Sequence, residues 1–367
     1  MAWRVLAIAL LIASVAQANM VLEVGNTVAG FKPSYAYTIA DLDYADRPFM
    51  DVVSGNGSVI KYSTPWEWSG SYHGHEVVEQ TSLTIDGAAA AVQDNVTYTA
   101  LDRAYFSRTT VLGGGYRLTH DMQIESSKII ETAHFTGLPE GPNVEVFYAF
   151  LGTRSNRLTR YAAFDENGNL LQSGSTVANQ DALPLLQMPP GSMAVAQYDP
   201  IAGDGVLTAW AVPSPIRRRP DIQDRSGDNK LYFSLDTVGS PNGRDFTITQ
   251  SLTFFTAPPE SWESAAIVVD RGDMDGNGVV DNFDIQAFEL ALTDADAFHA
   301  EYPLVTMVGA RGDFNLDGSF DNFDIEGFES YLTPSSGVAV PEPSTLALGA
   351  MGLAALPWRG RRRACSR

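Results

Sequence analysis

Residues 273–284 read DMDGNGVVDNFD, four aspartates in twelve positions around a glycine turn. Like charges this close repel, so a bare loop of this composition opens unless something positive sits inside it. The placement of its acids, amides and glycines decides how the last third of the chain folds. It also marks where the preceding architecture stops.

A second copy, DFNLDGSFDNFD, occupies residues 313–324, forty positions further on. The first position holds Asp273 and Asp313, the third Asp275 and Asn315, and the fifth Asn277 and Asp317. Gly278 and Gly318 hold the sixth, Asp281 and Asp321 the ninth, Asp284 and Asp324 the twelfth. Calcium takes about six to eight oxygens, so alternate side chains turn inward while the sixth residue makes a sharp turn that glycine tolerates. Val279 and Ser319, at the seventh position, would offer backbone carbonyls. The pattern therefore predicts two calcium ions. Each loop runs into a helical pattern, DIQAFELAL or DIEGFESYL, which sets Ile285, Phe288 and Leu292, and likewise Ile325, Phe328 and Leu332, on one apolar stripe.

Upstream the text changes. Runs such as GSVIKYS, YRLTHDMQIES, VLTAWAV and DFTITQSLTFF are short, alternating and separated by Gly, Pro, Asn and Asp, which is the signature of strands. FDENGNLL, residues 164–171, is an Asn-Gly turn between apolar flanks and predicts a hairpin. The expected fold class is mainly β: a large antiparallel β-sandwich followed by a small α-helical module of paired calcium loops. Between residues 270 and 333 fifteen acidic residues face two arginines, so this segment holds most of the net charge of -20. Such acidity excludes nucleic acid as a partner, because phosphate binding needs clustered Lys and Arg.

The N-terminus, MAWRVLAIALLIASVAQA, has a basic residue, an apolar run and an Ala-Gln-Ala site, as a secretory signal handled by signal peptidase does. The expected organisation is a signal peptide at 1–18, an all-β domain at 19–265, the calcium module at 270–333, and a linker with a sorting tail at 334–367. Cys365 is the one cysteine, so no intramolecular disulfide forms.

The 270–333 segment resembles the type I dockerin, in which two calcium loops each precede one helix and the entering helix of a full EF-hand is missing. AAIVVDRGD before the first loop reads as too short and too β-branched for an entering helix, and aspartate stands at position twelve where an EF-hand has glutamate. The resemblance implies calcium-dependent folding and a cohesin-type partner. It implies partner contacts at loop positions ten and eleven, Asn282-Phe283 and Asn322-Phe323. The competing reading of the two phenylalanines is packing between the helices.

VPEPSTLALGAMGLAALPWRGRRR resembles the PEP-CTERM sorting signal, a Pro-Glu-Pro triplet, an apolar segment and a basic cluster. That resemblance implies exosortase processing during export to the envelope or extracellular matrix. The apolar segment is short for a stable span, so membrane contact is expected only transiently.

The β domain carries weaker signals. In SYHGHEVVE, His73 and His75 share a strand face, with Tyr72 and Glu76 beside them, a set that suits zinc binding or acid–base work and equally suits a half-buried strand. Trp66 and Trp68 would form either a platform for a sugar ring or part of the core. The strand layout resembles galactose-mutarotase-like sandwiches, with no motif to carry over a catalytic residue. Two functions follow: an exported docking protein with a binding or structural sandwich, or a polysaccharide-active or carbohydrate-binding protein. If the chain is an enzyme, it is a polysaccharide hydrolase or lyase.

Overall fold

The computed structural model describes residues 20–25, 38–44, 47–50, 56–62, 68–70, 76–93, 96–113, 115–125, 128–137, 144–154, 156–176, 186–211, 218–224, 229–235 and 245–332. The signal segment, Trp66, Tyr72, His73, His75 and the tail lie outside the described residues.

Ten antiparallel strands form one large sheet. Their spatial order is Leu170–Ser175, Arg160–Phe164, Ala194–Asp199, Asp204–Ala211, Phe246–Thr256, Lys128–Thr136, Arg117–Glu125, Arg103–Leu112, Glu76–Ile85 and Ala88–Ala90. A six-stranded sheet runs Leu186–Gln187, Arg218–Asp224, Asn229–Leu235, Val144–Arg154, Asn56–Tyr62, Trp68–Gly70. A smaller sheet joins Arg47–Met50, Thr38–Tyr44, Met20–Gly25 and Val96–Ala100. The predicted antiparallel sandwich is the observed architecture.

Alternation explains the pairing. Along Arg103–Leu112 every second residue is buried, and the same holds along Arg117–Glu125, so one face of each strand points inward. The inward face meets the six-stranded sheet in a core that joins Leu118, Phe135, Val195 and Ile248 to Phe150, Ile222 and Leu231. Trp210 stacks on Phe233 across that gap with ring centroids 4.6 Å apart.

Ala194–Asp199 breaks the alternation, because all six residues are buried. The outer face of this strand is covered by helices. Ala162, Ala194, Ala196 and Ala209 make a flat small-residue floor, on which Trp262, Ala266, Met307 and Ala310 lie. Trp262 stacks on Tyr198 at 5.0 Å, and burying an aromatic side chain of this kind contributes about 1.5–3 kcal/mol.

The helical part comprises α1 (Trp262–Val268), α2 (Asp284–Thr293), α3 (Ala295–Glu301), α4 (Val308–Gly312) and α5 (Ile325–Leu332), the last preceded by a 3₁₀ turn at Asn322–Asp324. The expectation of a missing entering helix is corrected here. A short helix precedes each loop, α1 the first and α4 the second. The β-branched residues of AAIVV fold helically because Trp262 and Ala266 anchor α1 on the sheet, and tertiary packing overrides propensity. α3 was not anticipated; Asp294 caps it by accepting the Ala297 N–H at 3.0 Å. The apolar stripes are narrower than expected: Phe288 and Phe328 are buried and stack at 4.2 Å, whereas Ile285 and Ile325 are more than one-third exposed.

The hairpin forms as predicted, with Phe164 paired to Leu170 and Gly168 at φ 82°. Its tip lies against the helical module. A Cβ at Gly309 would collide with Asn167, and one at Gly318 would meet Asn169.

Candidate metal centre

Both loops are wired alike, position by position. The Asp284 carboxylate accepts the backbone N–H of Met274 at 2.7 Å and of Asp275 at 3.0 Å on Oδ1, and of Asp281 at 2.8 Å on Oδ2. Forty residues later, Asp324 accepts those of Phe314 at 2.8 Å, Asn315 at 3.0 Å and Asp321 at 2.9 Å. The sixth-position glycines donate to the first-position aspartates, Gly278 to Asp273 at 3.2 Å and Gly318 to Asp313 at 2.9 Å. Side-chain oxygens of Asn277 and Asp317 accept the N–H of Val279 and Ser319, and those of Asp281 and Asp321 accept that of Phe283 and Phe323. The loops therefore close inward on their acidic side chains.

Asp284 and Asp324 are fully buried. Burial pushes the Asp284 carboxyl above the ordinary aspartate value, against the pull of its backbone N–H bonds. Carboxylate oxygens of Asp273, Asp275 and Asp284 lie within 4.8 Å of one another. In the second loop the buried Asp313 Oδ1 has no hydrogen-bond partner among the described residues. An all-oxygen donor set with converging carboxylates suits a hard divalent cation.

Three cations from outside the loop pattern complete the centre. Arg311, just before the second loop, reaches back to the first. It donates to the Asp273 carbonyl at 2.6 Å, the Asp273 carboxylate at 3.2 Å, Asp270 at 2.9 Å and the Thr306 carbonyl at 2.7 Å. Lys128, from the large sheet, stands 3.6 Å from the Asp273 carboxylate and 3.7 Å from that of Asp270. Burial and the neighbouring Arg311 charge push the Lys128 ammonium below the usual lysine range, with both aspartates opposing. Arg271, just before the first loop, acts electrostatically on Asp313 and Asp324 of the second. Each arginine serves the other loop. The signal was present in the repeated Arg-Gly-Asp at 271–273 and 311–313.

Phe283 and Phe323 are 75% and 79% exposed, which rules out packing between the helices. Asn282 and Asn322 are exposed beside them. These four residues lie on surface that the sheet does not cover.

In the β domain only Glu76 of the SYHGHE set is described. It is buried and stands 3.5 Å from Arg108. Arg108 pairs in register with His120, whose Nε2 lies 3.3 Å from Glu131. This buried polar band, on the inner face of the large sheet, was not legible from spacing, because its members come from four strands. Strand alternation alone marks them as core.

The PEP-CTERM protein-sorting motif matches residues 339–363. It marks the chain for export and for sorting to the cell envelope or surface, with exosortase processing on the way. No curated protein matches. Among solved structures, the chain is similar to a putative aldose 1-epimerase from Escherichia coli K12, with 11% identity over 60% of this chain and 92% of that one and a TM-score of 0.33. A galactose mutarotase-like protein from Clostridium acetobutylicum matches at 9% identity over 62% of this chain and 91% of its own, TM-score 0.34. A glycoside hydrolase family 97 enzyme from Pseudoalteromonas sp. strain K8 matches at 10% identity over 71% of this chain and 36% of its own, TM-score 0.38.

Proposed function

We propose that this is an exported, calcium-binding envelope or matrix protein, released from its signal peptide at residue 18, whose dockerin-like module docks onto a cohesin-type partner while the sandwich serves binding or structure. The observation that carries the reading is the duplicated hydrogen-bond network, offset by forty residues and matched position by position. Asp273, Asp275, Asn277, Asp281 and Asp284, with the Val279 carbonyl, would hold one ion. Asp313, Asn315, Asp317, Asp321 and Asp324, with the Ser319 carbonyl, would hold the other. Calcium supplies the positive charge that lets four aspartates share each loop. The chain's own residues fix the loops around it: the buried twelfth-position carboxylates gather backbone amides, and the glycines make the turn.

Melting the mature chain in calcium, in magnesium and in a chelator tests the reading. A free calcium level about 100-fold above its dissociation constant stabilises by about 2.7 kcal/mol per ion. Equal melting temperatures in calcium and chelator would remove the assignment.

A second reading, a carbohydrate-binding or polysaccharide-active sandwich, draws on the buried band of Glu76, Arg108, His120 and Glu131. Burying ionisable groups costs desolvation that apolar packing would not, which favours a role beyond packing for this band. A polysaccharide panel screened against the wild type and Glu131→Gln decides it: loss of binding or turnover in the variant supports the reading, and no ligand in the panel counts against it.

A further inference from the structure

A cleft of about 540 Å³ opens between the large sheet and the helical module, within the range of small-molecule sites. Its floor includes Met193 from the sheet side and Met307 and Val308 from the start of α4. Three ionisable side chains border it: Glu166 from the hairpin tip, and Asp296 and His299 from α3. Asp296 and His299 are three positions apart, so they share one helical face. All three residues are exposed, and among the described residues none of their side chains has a hydrogen-bond or ion-pair partner. No lysine or arginine is among the described lining residues.

The same three residues are not grouped tightly enough to share one metal ion. Among the described residues, the carboxylate and imidazole groups that approach within 4.8 Å of one another are those of Asp273, Asp275 and Asp284. The cleft is therefore suited to a larger ligand, one bordered by carboxylates from two elements and resting on methionine and valine. Methionine adapts to irregular apolar shapes, which fits the floor for a flat or flexible body. We propose that this cleft binds an organic cation, a guanidinium, amidinium or ammonium group on an apolar body, with the charge between Glu166 and Asp296 and the body on Met193, Met307 and Val308. The position matters as well as the chemistry. The ligand would touch both the sandwich and the module, so its binding would report on their docking. The site is separate from both metal loops and from the exposed Phe283 and Phe323.

The test is calorimetric titration of the calcium-loaded chain with benzamidine, and with benzamide as the uncharged analogue of the same shape. Benzamidine binding that weakens about tenfold in Asp296→Asn and again in Glu166→Gln, with no benzamide binding, is the expected result, since a lost charge-assisted contact is worth about that factor. Both positions are exposed, so the folds of the variants are preserved, and unchanged melting temperatures check this. Tighter binding of an end-blocked Ala-Arg-Ala peptide than of spermidine assigns the natural ligand to a basic peptide, and the reverse to a free amine. Absence of benzamidine binding, equal binding of benzamide, or binding indifferent to both substitutions overturns the proposal.

Discussion

The two twelve-residue loops carry four aspartates each, yet their surroundings treat them differently. In the first loop the Asp273 carboxylate faces Lys128 and Arg311, and the loop is tied through them to the sheet. In the second, Asp313 Oδ1 is buried with no hydrogen-bond partner among the described residues, and Arg271 acts on it only at longer range. The fourth positions differ too. Gly276 takes φ 78° without strain, whereas Leu316 is forced to φ 63°. A matching loop pattern thus yields one loop held by direct ion pairs to Lys128 and Arg311 and one that meets Arg271 only through its longer-range field. Charge count is a property of the pattern; compensation is a property of the fold.

The largest effect expected is at the position that both loops share. Asp284→Ala or Asp324→Ala removes a buried carboxylate that gathers three backbone N–H groups, and each should cost about 3 kcal/mol or more in calorimetry, in calcium. A loss below about 0.5 kcal/mol would mean that these carboxylates do not organise the loops.

The loops should separate at position one in chelator. Asp273→Asn breaks the pairing with Lys128 and Arg311 and should cost about 2 kcal/mol, whereas Asp313→Asn loses only the longer-range field of Arg271 and should cost about 0.5 kcal/mol. Equal losses would erase the asymmetry. Acid sharpens the same point through Asp270. Burial alone would raise its carboxyl, but Arg311 and Lys128 beside it hold it below the ordinary value of about 3.9. Its folded pKa is depressed, so its contribution is complete above that ordinary value and is lost as pH falls through the lower folded one. Asp270→Asn should flatten this acid limb of the stability profile, and an unchanged limb would assign the sensitivity elsewhere.

Leu316→Gly should stabilise by about 1 kcal/mol, since glycine adopts positive φ without the Cβ clash; Gly276 is already relaxed. Smallest in stability is the double change Phe283→Ser and Phe323→Ser, expected to stay within about 0.5 kcal/mol because both side chains are exposed. Its effect should appear in docking, as loss of capture of a cohesin-type partner. Retained capture would move the partner surface off the loops.

Much of this was legible in the text of the chain. Strand alternation in RAYFSRTTVL and RLTHDMQIE predicts faces that the sheet obeys, and the Asn-Gly turn at 167–168 is where the hairpin turns. The first loop's spacing anticipates the approach of the Asp273, Asp275 and Asp284 carboxylates to one another. What escaped was non-local. Lys128 is separated from Asp273 by more than a hundred positions, so no spacing rule joins them. α1 was obscured by β-branched residues whose propensity loses to the packing of Trp262 on the sheet. Ile285 and Ile325 fit a helical stripe by period, but the stacked Phe288 and Phe328 fill the space between the helices and leave the isoleucines at the surface.

Calorimetric titration of the mature, chelator-stripped chain with calcium measures directly whether the loops are paired calcium sites. Two ions per chain are predicted for the wild type, with one lost in Asp284→Ala and the other in Asp324→Ala. Absence of heat and of any protection against unfolding, or a stoichiometry untouched by both substitutions, would contradict it.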